Sequence, residues 1–345
     1  MKILYIIGNG FDLNLDLETS YNQFYEFYKL VKSDNVNVQK LKENISKTYE
    51  SWSNLELALG SYTQHLNEVK EFDDVMIDIG KELSKYLKIQ EEKLENYEIN
   101  QHMFFNYLIS PENLFLSTDK EILIEYKNKW ANYDRILNIY TFNYTSVIET
   151  ICGDKQKNIL LASKANNPIT TLKEIKHIHG YLDTEMVIGV NDKSQIANES
   201  FRENRDILEF IVKSECNKAN KNNIDREFTN EINTANLIYI FGSSIGDTDK
   251  KWWELIGERL KSTECRLIIF SRGDEIPARI RNMESRAERA VRDSFLSKTK
   301  LNENEMETME DKIFIRINSG MFDGIMIKKA QVKTKSSNSY LVGER

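Results

Sequence analysis

The stretch Ile3-Leu4-Tyr5-Ile6-Ile7-Gly8-Asn9-Gly10-Phe11-Asp12 opens with five apolar residues and stops at a glycine. A run that is apolar at every position has no face to give to water, so it reads as a strand buried on both sides of a parallel sheet. Similar runs, each bounded by Gly, Asn or Ser, recur at Ile136 to Phe142, Met186 to Val190, Leu237 to Phe241, Leu267 to Phe270 and Ile313 to Ile317. Long helical patterns separate them. The expected fold is therefore α/β, a Rossmann-like, mainly parallel sheet of about six strands with helices on both faces.

The next helix is expected to start at Ser20, where Ser20 and Gln23 have the spacing of a capping box and Tyr21, Phe24, Tyr25 and Tyr28 form a core-facing stripe. From Lys40 to Tyr133 no strand is expected, so residues 40–133 read as a helical subdomain inserted into a core made of residues 1–39 and 134–327. A second helical insertion is expected at about 199–235. The tail, 328–345, loses its apolar periodicity and reads as exposed.

The chain has 345 residues and a formal net charge of −7, which argues against bulk nucleic-acid binding, since phosphate recognition starts from a positive field. Apolar runs of about five residues are far too short for a membrane span. The first of them ends at Gly8, too early for the apolar region of a signal peptide, so the expected compartment is the cytoplasm. Cys152, Cys216 and Cys265 are odd in number and widely spaced, which fits reduced thiols and excludes a four-cysteine zinc site.

Four polar clusters lie at strand ends, where open parallel sheets bind their ligands. The first is Gly8 to Asp12, whose two glycines admit close backbone approach, although Leu13 stands where a dinucleotide fingerprint requires its third glycine. Thr141-Phe142-Asn143-Tyr144-Thr145 is the second. His177-Ile178-His179-Gly180 is the third, with both rings expected on one face of a strand. A metal reading is disfavoured there, because His65 and His102 fall in the helical block and no spaced carboxylate completes a ligand set. That leaves a structural histidine or a general base. The fourth cluster, Gly242 to Asp249, precedes a helix bearing Trp252 and Trp253. Asp247 and Asp249 would occupy its positive end, while the Gly242 and Ser243 amides and hydroxyls remain open to a phosphate or ribose.

Separately, Arg281, Arg286, Arg289 and Arg292 share a helical face opposite Ile280, Met283, Ala287 and Ala290. Glu275 with Arg279 and Glu288 with Arg292 have the favourable i, i+4 spacing, so a solvated face competes with docking of RNA, DNA or an acidic protein.

Together these motifs resemble the AbiH family of phage abortive-infection proteins. The resemblance rests on Tyr5 to Leu13, Thr19-Ser20-Tyr21 with Phe24, Phe142 to Thr145, His179-Gly180, and Phe241 to Ser244 with Asp249. Trp52 followed by Leu55-Glu56 adds to it, with Asn54 where Asp is expected. The resemblance implies a cytoplasmic protein that halts phage propagation. The order of the motifs is also similar to that of sirtuin-type NAD-binding domains. On that likeness Gly8, Gly10 and Ser243 would line NAD, with Asn9, Gly180, Gly242 and Ser244 beside them, Asn143 would hold the nicotinamide ribose, and His179 would be the base. Thr145 replaces the aspartate such domains carry two residues after the Asn, and Asp12 is the candidate substitute. The expected activity is an NAD glycohydrolase without a metal. The alternative is a non-catalytic or nucleic-acid- or partner-binding defence module that senses a phage component. Expected partners are a small nucleotide, a phage-derived trigger and a second copy of the chain, with no membrane.

Overall fold

In the computed structural model, residues 1–163, 168–182, 184–274 and 281–329 are described. The strands are β1 (Lys2–Ile7), β2 (Tyr97–Ile99), β3 (Arg135–Thr141), β4 (Ile159–Ala162), β5 (Thr170–His177), β6 (Leu237–Phe241), β7 (Arg266–Ser271), β8 (Ile313–Ile317) and β9 (Met326–Lys328). Seven of them form one sheet in the order β4-β5-β3-β1-β6-β7-β8. All neighbours are parallel except the edge strand β4, which runs antiparallel to β5. Counting only the parallel strands along the chain, the order is third, second, first, fourth, fifth, sixth, which is the doubly wound Rossmann arrangement. The strand order reverses between β1 and β6, and the loops at their C-terminal ends flank that switch point.

The alternation of side chains along β1 explains the two covered faces. Ile3, Tyr5 and Ile7 face a core with Phe104, Leu108, Leu123 and Ile148 from α6 (Gln101–Ile109), α7 (Ser117–Asn128) and α8 (Val147–Cys152). Leu4 and Ile6 face Phe228, Ile232, Trp253 and Ile256 from α11 (Ile224–Thr234) and α12 (Lys250–Leu260). A third apolar cluster lies off the sheet. It joins α2 (Tyr21–Tyr28), α3 (Val36–Lys47), α4 (Leu55–Tyr62) and α5 (Val69–Glu92) to Ile207 and Ile211 of α9 (Arg205–Ile211), next to α10 (Lys213–Ala219). This helical layer roofs the C-terminal ends of the strands.

Five of the six expected strands are present. Met186 to Val190 is not a strand. It is a core-lining segment whose Val190 makes a single bridge to Val212, and whose Ile188 and Val190 are buried in the helical layer. A short apolar run cannot tell these two environments apart. Conversely, β5 is overlooked by apolar pattern because its residues Thr-Thr-Leu-Lys-Glu-Ile-Lys-His are amphipathic. It lies one strand from the sheet edge, and Lys176 pairs with Glu174 and Glu227.

The helix after β1 also begins earlier than expected, since α1 (Gly10–Asn14) precedes the Ser20 capping box, which is itself formed. Within 40–133 the strand β2 pairs antiparallel with β9, and Lys329 reaches Asn96 and Glu95, so the first two tail residues are held. Residues 330–345 lie outside the described residues. So do Glu275, Arg279 and Ile280. Among the described residues no helix is long and apolar enough to cross a membrane.

Gly242 has φ +68°, and a Cβ there would lie 2.6 Å from the Phe11 nitrogen. Gly242→Ala is therefore expected to cost about 1–3 kcal/mol in backbone strain, before any separation of the loops. Gly246→Ala is the control, because its Cβ would meet nothing closer than 3.4 Å. A thermal melt in which both variants matched the unaltered protein would contradict this account.

Candidate functional site

A cavity of about 900 Å³ opens at the switch point, lined by residues that follow β1, β3, β5, β6 and β7 and roofed by Tyr21, Asn54, Glu56 and Leu83 of the helical layer. Gly8, Asn9, Gly10, Asp12, Asn143, His179, Gly242, Ser243 and Ser244 all line it. Gly180 does not. Its φ of +75° and the Glu185 carbonyl, 1.7 Å from where a Cβ would be, make it a turn glycine behind the site.

The glycines of the first loop line the cavity and also make a close contact between loops. A Cβ on Gly8 would come within 2.7 Å of the Gly242 oxygen, and one on Gly10 within 2.6 Å of the Gly242 Cα. The Gly8 amide donates to the Phe241 carbonyl and the Gly10 amide to the Gly242 carbonyl. These glycines let two loops touch, and both amides are spent on that contact. Asn9 is likewise engaged, accepting from the Thr19 hydroxyl at 2.7 Å and donating to the Thr19 carbonyl at 3.0 Å. It ties the loop to the start of α2.

The loop after β3 is held by alternating side chains. Thr141 donates to the Ile7 carbonyl and accepts from the Asn143 amide. Asn143 Nδ2 donates to Asp12 Oδ1 at 2.9 Å, and the Thr145 hydroxyl donates to Asp12 Oδ2 at 2.5 Å. Asn143 Oδ1 is buried without a partner. A carboxyl placed beside Asn143 and Thr145 thus reaches this position from α1 rather than from residue 145. Burial pushes the Asp12 carboxyl up to about 7, against the pull of the hydrogen bonds from Thr145 and Asn143. It can therefore exchange a proton near neutrality.

The two histidines part company, because β5 ends at His177. His177 Nδ1 meets the Asn143 carbonyl oxygen at 2.6 Å and its Nε2 meets Glu149 at 3.0 Å, so it braces the Asn143 loop. His179 lies beyond the strand, in the cavity, with Nε2 3.0 Å from Asp249 Oδ1. That same oxygen accepts from Lys213 Nζ at 3.0 Å, and Lys213 also donates to Glu56 at 2.9 Å. Burial alone would raise the Asp249 carboxyl, but the charges and hydrogen bonds of Lys213 and His179 outweigh it and hold the carboxyl well below its ordinary range. Asp249 is thus an anchored anion rather than a helix cap.

Lys213 had no motif to mark it. Its one trace in the sequence is a lysine directly after Ile211-Val212 and before Cys216, in a helix that otherwise buries that side. Asn54, by contrast, is explained by its position. It accepts from the Leu57 amide as the N-cap of α4, a role in which Asn and Asp are equivalent. Among the described residues no three His, Cys, Asp or Glu side chains are grouped to hold a metal ion. On α13 (Arg281–Ser297), Arg286 and Arg289 are exposed, while Arg292 is half-buried and faces Glu310 at 3.8 Å.

Compared with known families, residues 4–271 match the model described as Bacteriophage abortive infection AbiH. That span runs from β1 through β7 and includes every candidate cavity residue above, but not α13. No curated protein matches the chain.

The Asp12 value fixes a sign for stability against pH. Between the ordinary value of 3.8 and about 7 the folded chain keeps a proton that the unfolded chain sheds. The contribution of Asp12 to stability is therefore full below about pH 4 and is lost as pH rises to about 7. Asp12→Asn removes this slope. In urea melts, the stability of the variant relative to the unaltered protein should increase between about pH 5 and about pH 8. A difference that is flat or falls over that range would rule out the raised carboxyl.

Proposed function

This chain belongs to the AbiH family of bacteriophage abortive infection proteins, and from that premise we propose that it binds NAD in the switch-point cavity and hydrolyses the bond between nicotinamide and ribose. The observation that carries this reading is the buried Asp12 and Asn143 pair, whose Asn143 Oδ1 has no partner in the protein. A buried acceptor without a donor carries a desolvation cost that a ligand hydroxyl or amide can relieve.

The charge of the cavity supports the same substrate class. Asp12, Glu56 and Asp249 place carboxyl groups around it. Loss of an already cationic nicotinamide passes through an oxocarbenium-like state, which negative charge stabilises. Asp249 holds Nε2 of His179, leaving Nδ1 to take a proton from water or a ribose hydroxyl. Asn143 orients the ribose, and His177 fixes Asn143 through its carbonyl. Ser243, Ser244 and Arg272, which also line the cavity, are the groups that would meet the phosphates, Ser243 while accepting from the Ile245 amide and Arg272 while donating to Asn14. The Gly8 and Gly10 amides take no part, since both are bonded to the neighbouring loop.

A second reading, in which defence works through a docked partner, is favoured by the exposure of Arg286 and Arg289. One experiment separates the two. Purified protein is incubated with NAD, nicotinamide release is followed, and plaque formation is scored in cells carrying the same variants. His179→Gln, which keeps a donor for Asp249, should slow release by about 10²- to 10⁴-fold with the melting temperature little changed, and should abolish protection. Asn143→Ala should also remove activity, with a stability loss of about 1–3 kcal/mol because it leaves a buried carboxyl short of a donor. Arg286→Ala with Arg289→Ala should leave both readouts intact. A protective His179→Gln protein beside an inactive arginine variant would reverse the assignment.

A further inference from the structure

The ion pairs behind His179 join parts of the chain that no strand connects. Glu56 comes from α4 in the helical layer, Lys213 from the first turn of α10, Asp249 from the residue before α12, and His179 from the segment after β5. Glu56, Lys213 and His179 are buried, and Asp249 is mostly so. One ammonium group faces two carboxylates, so the cluster is short of one positive charge whenever the ring is neutral. Lys213 and His179 moreover bind the same Asp249 oxygen, each at 3.0 Å.

We propose that Lys213 is a positioning residue that shares its charge between Asp249 and Glu56, and thereby sets how firmly Asp249 holds a proton on His179. The assignment rests on the role given to His179 above, although its readout does not require turnover. Glu56 draws Lys213 through Oε2, while its Oε1 is buried without a partner, so its charge has Lys213 as its ion-pair partner. Drawing Lys213 toward Glu56 leaves Asp249 more dependent on the ring. Releasing it lets Lys213 neutralise Asp249 in full. Two substitutions in one ion-paired network should then act on His179 in opposite directions, which loss of packing alone cannot do.

The other groups around the ring do not supply this charge. Tyr144 faces it at 6.2 Å between ring centres and Tyr21 lines the same cavity, but burial pushes both phenols far above their ordinary range. Behind the ring, Lys251 is paired with Asp225 at 2.7 Å. Asp12 lies in the same cavity and is bonded to Asn143 and Thr145.

The test is an NMR titration of the imidazole signals of the full chain, whose histidines are His65, His102, His177 and His179, with His179→Gln used to assign the signal. Lys213→Met should move the His179 titration to higher pH by about one unit or more, the scale of an opposite charge left unshared at this range. Glu56→Gln should move it to lower pH, and Lys213→Arg should leave it close to the unaltered protein. Shifts in the same direction for Lys213→Met and Glu56→Gln, or no shift in either, would overturn the proposal. If Lys213→Met fails to fold, Glu56→Gln decides alone: a downward shift supports the proposal, and an unchanged or upward one rejects it. Opposed shifts in a protein that releases no nicotinamide would sink only the NAD reading, and turnover without these shifts only this one.

Discussion

Everything at the site depends on one steric allowance, the contact of the Gly8 to Gly10 backbone with Gly242. Parallel neighbours in a doubly wound sheet diverge at the switch point because their connections leave toward opposite faces. Here the loops after β1 and β6 close back on each other through two amide-to-carbonyl bonds, at separations that no Cβ would permit. That closure sets the start of α1, and α1 in turn delivers Asp12 beneath Asn143. This glycine pair therefore joins the two loops that wall the cavity, with both amides bonded across the contact.

Those side chains form two separate systems. Asp12, Asn143 and Thr145 make a neutral or singly charged floor, braced from behind by His177 and Glu149. His179, Asp249, Lys213 and Glu56 make a charged wall that reaches up into the helical layer. The floor is built from α1, the loop after β3, the end of β5 and α8, all next to the sheet, whereas the wall takes Glu56 and Lys213 from the helical layer. Buried ion networks of this kind are weak contributors to stability, because desolvation offsets most of their attraction.

Most of the sheet was legible because buried parallel strands leave continuous apolar runs, as at Ile3 to Ile7 and Leu237 to Phe241. The failures share one cause, that pattern reports burial rather than conformation. Met186 to Val190 is buried without being a strand, and Thr170 to His177 is a strand without being continuously apolar. The site was legible where polar residues end a strand, which brought Asn143, His179 and Ser243 to one cavity. It was not legible where a charge enters from a helix far away in the chain, as Lys213 does, since nothing local announces a partner more than 150 residues distant. The carboxyl at Asp12 lay between these cases. Its type was visible, but its pairing with Thr145 required the three-dimensional register of β1 against β3.

The Gly8 and Gly242 contact has a consequence for biosynthesis. A ribosome completes β1 and its loop at the outset, and domains acquire structure as they emerge. The partner loop and Asp249 arrive only after the helical layer, β3 and β5 have been made. Until then Asp12 has no opposing wall, His179 has no anchored anion, and the cavity has no closed volume. A nascent chain therefore does not have both walls of the cavity until residues 242–249 have been made.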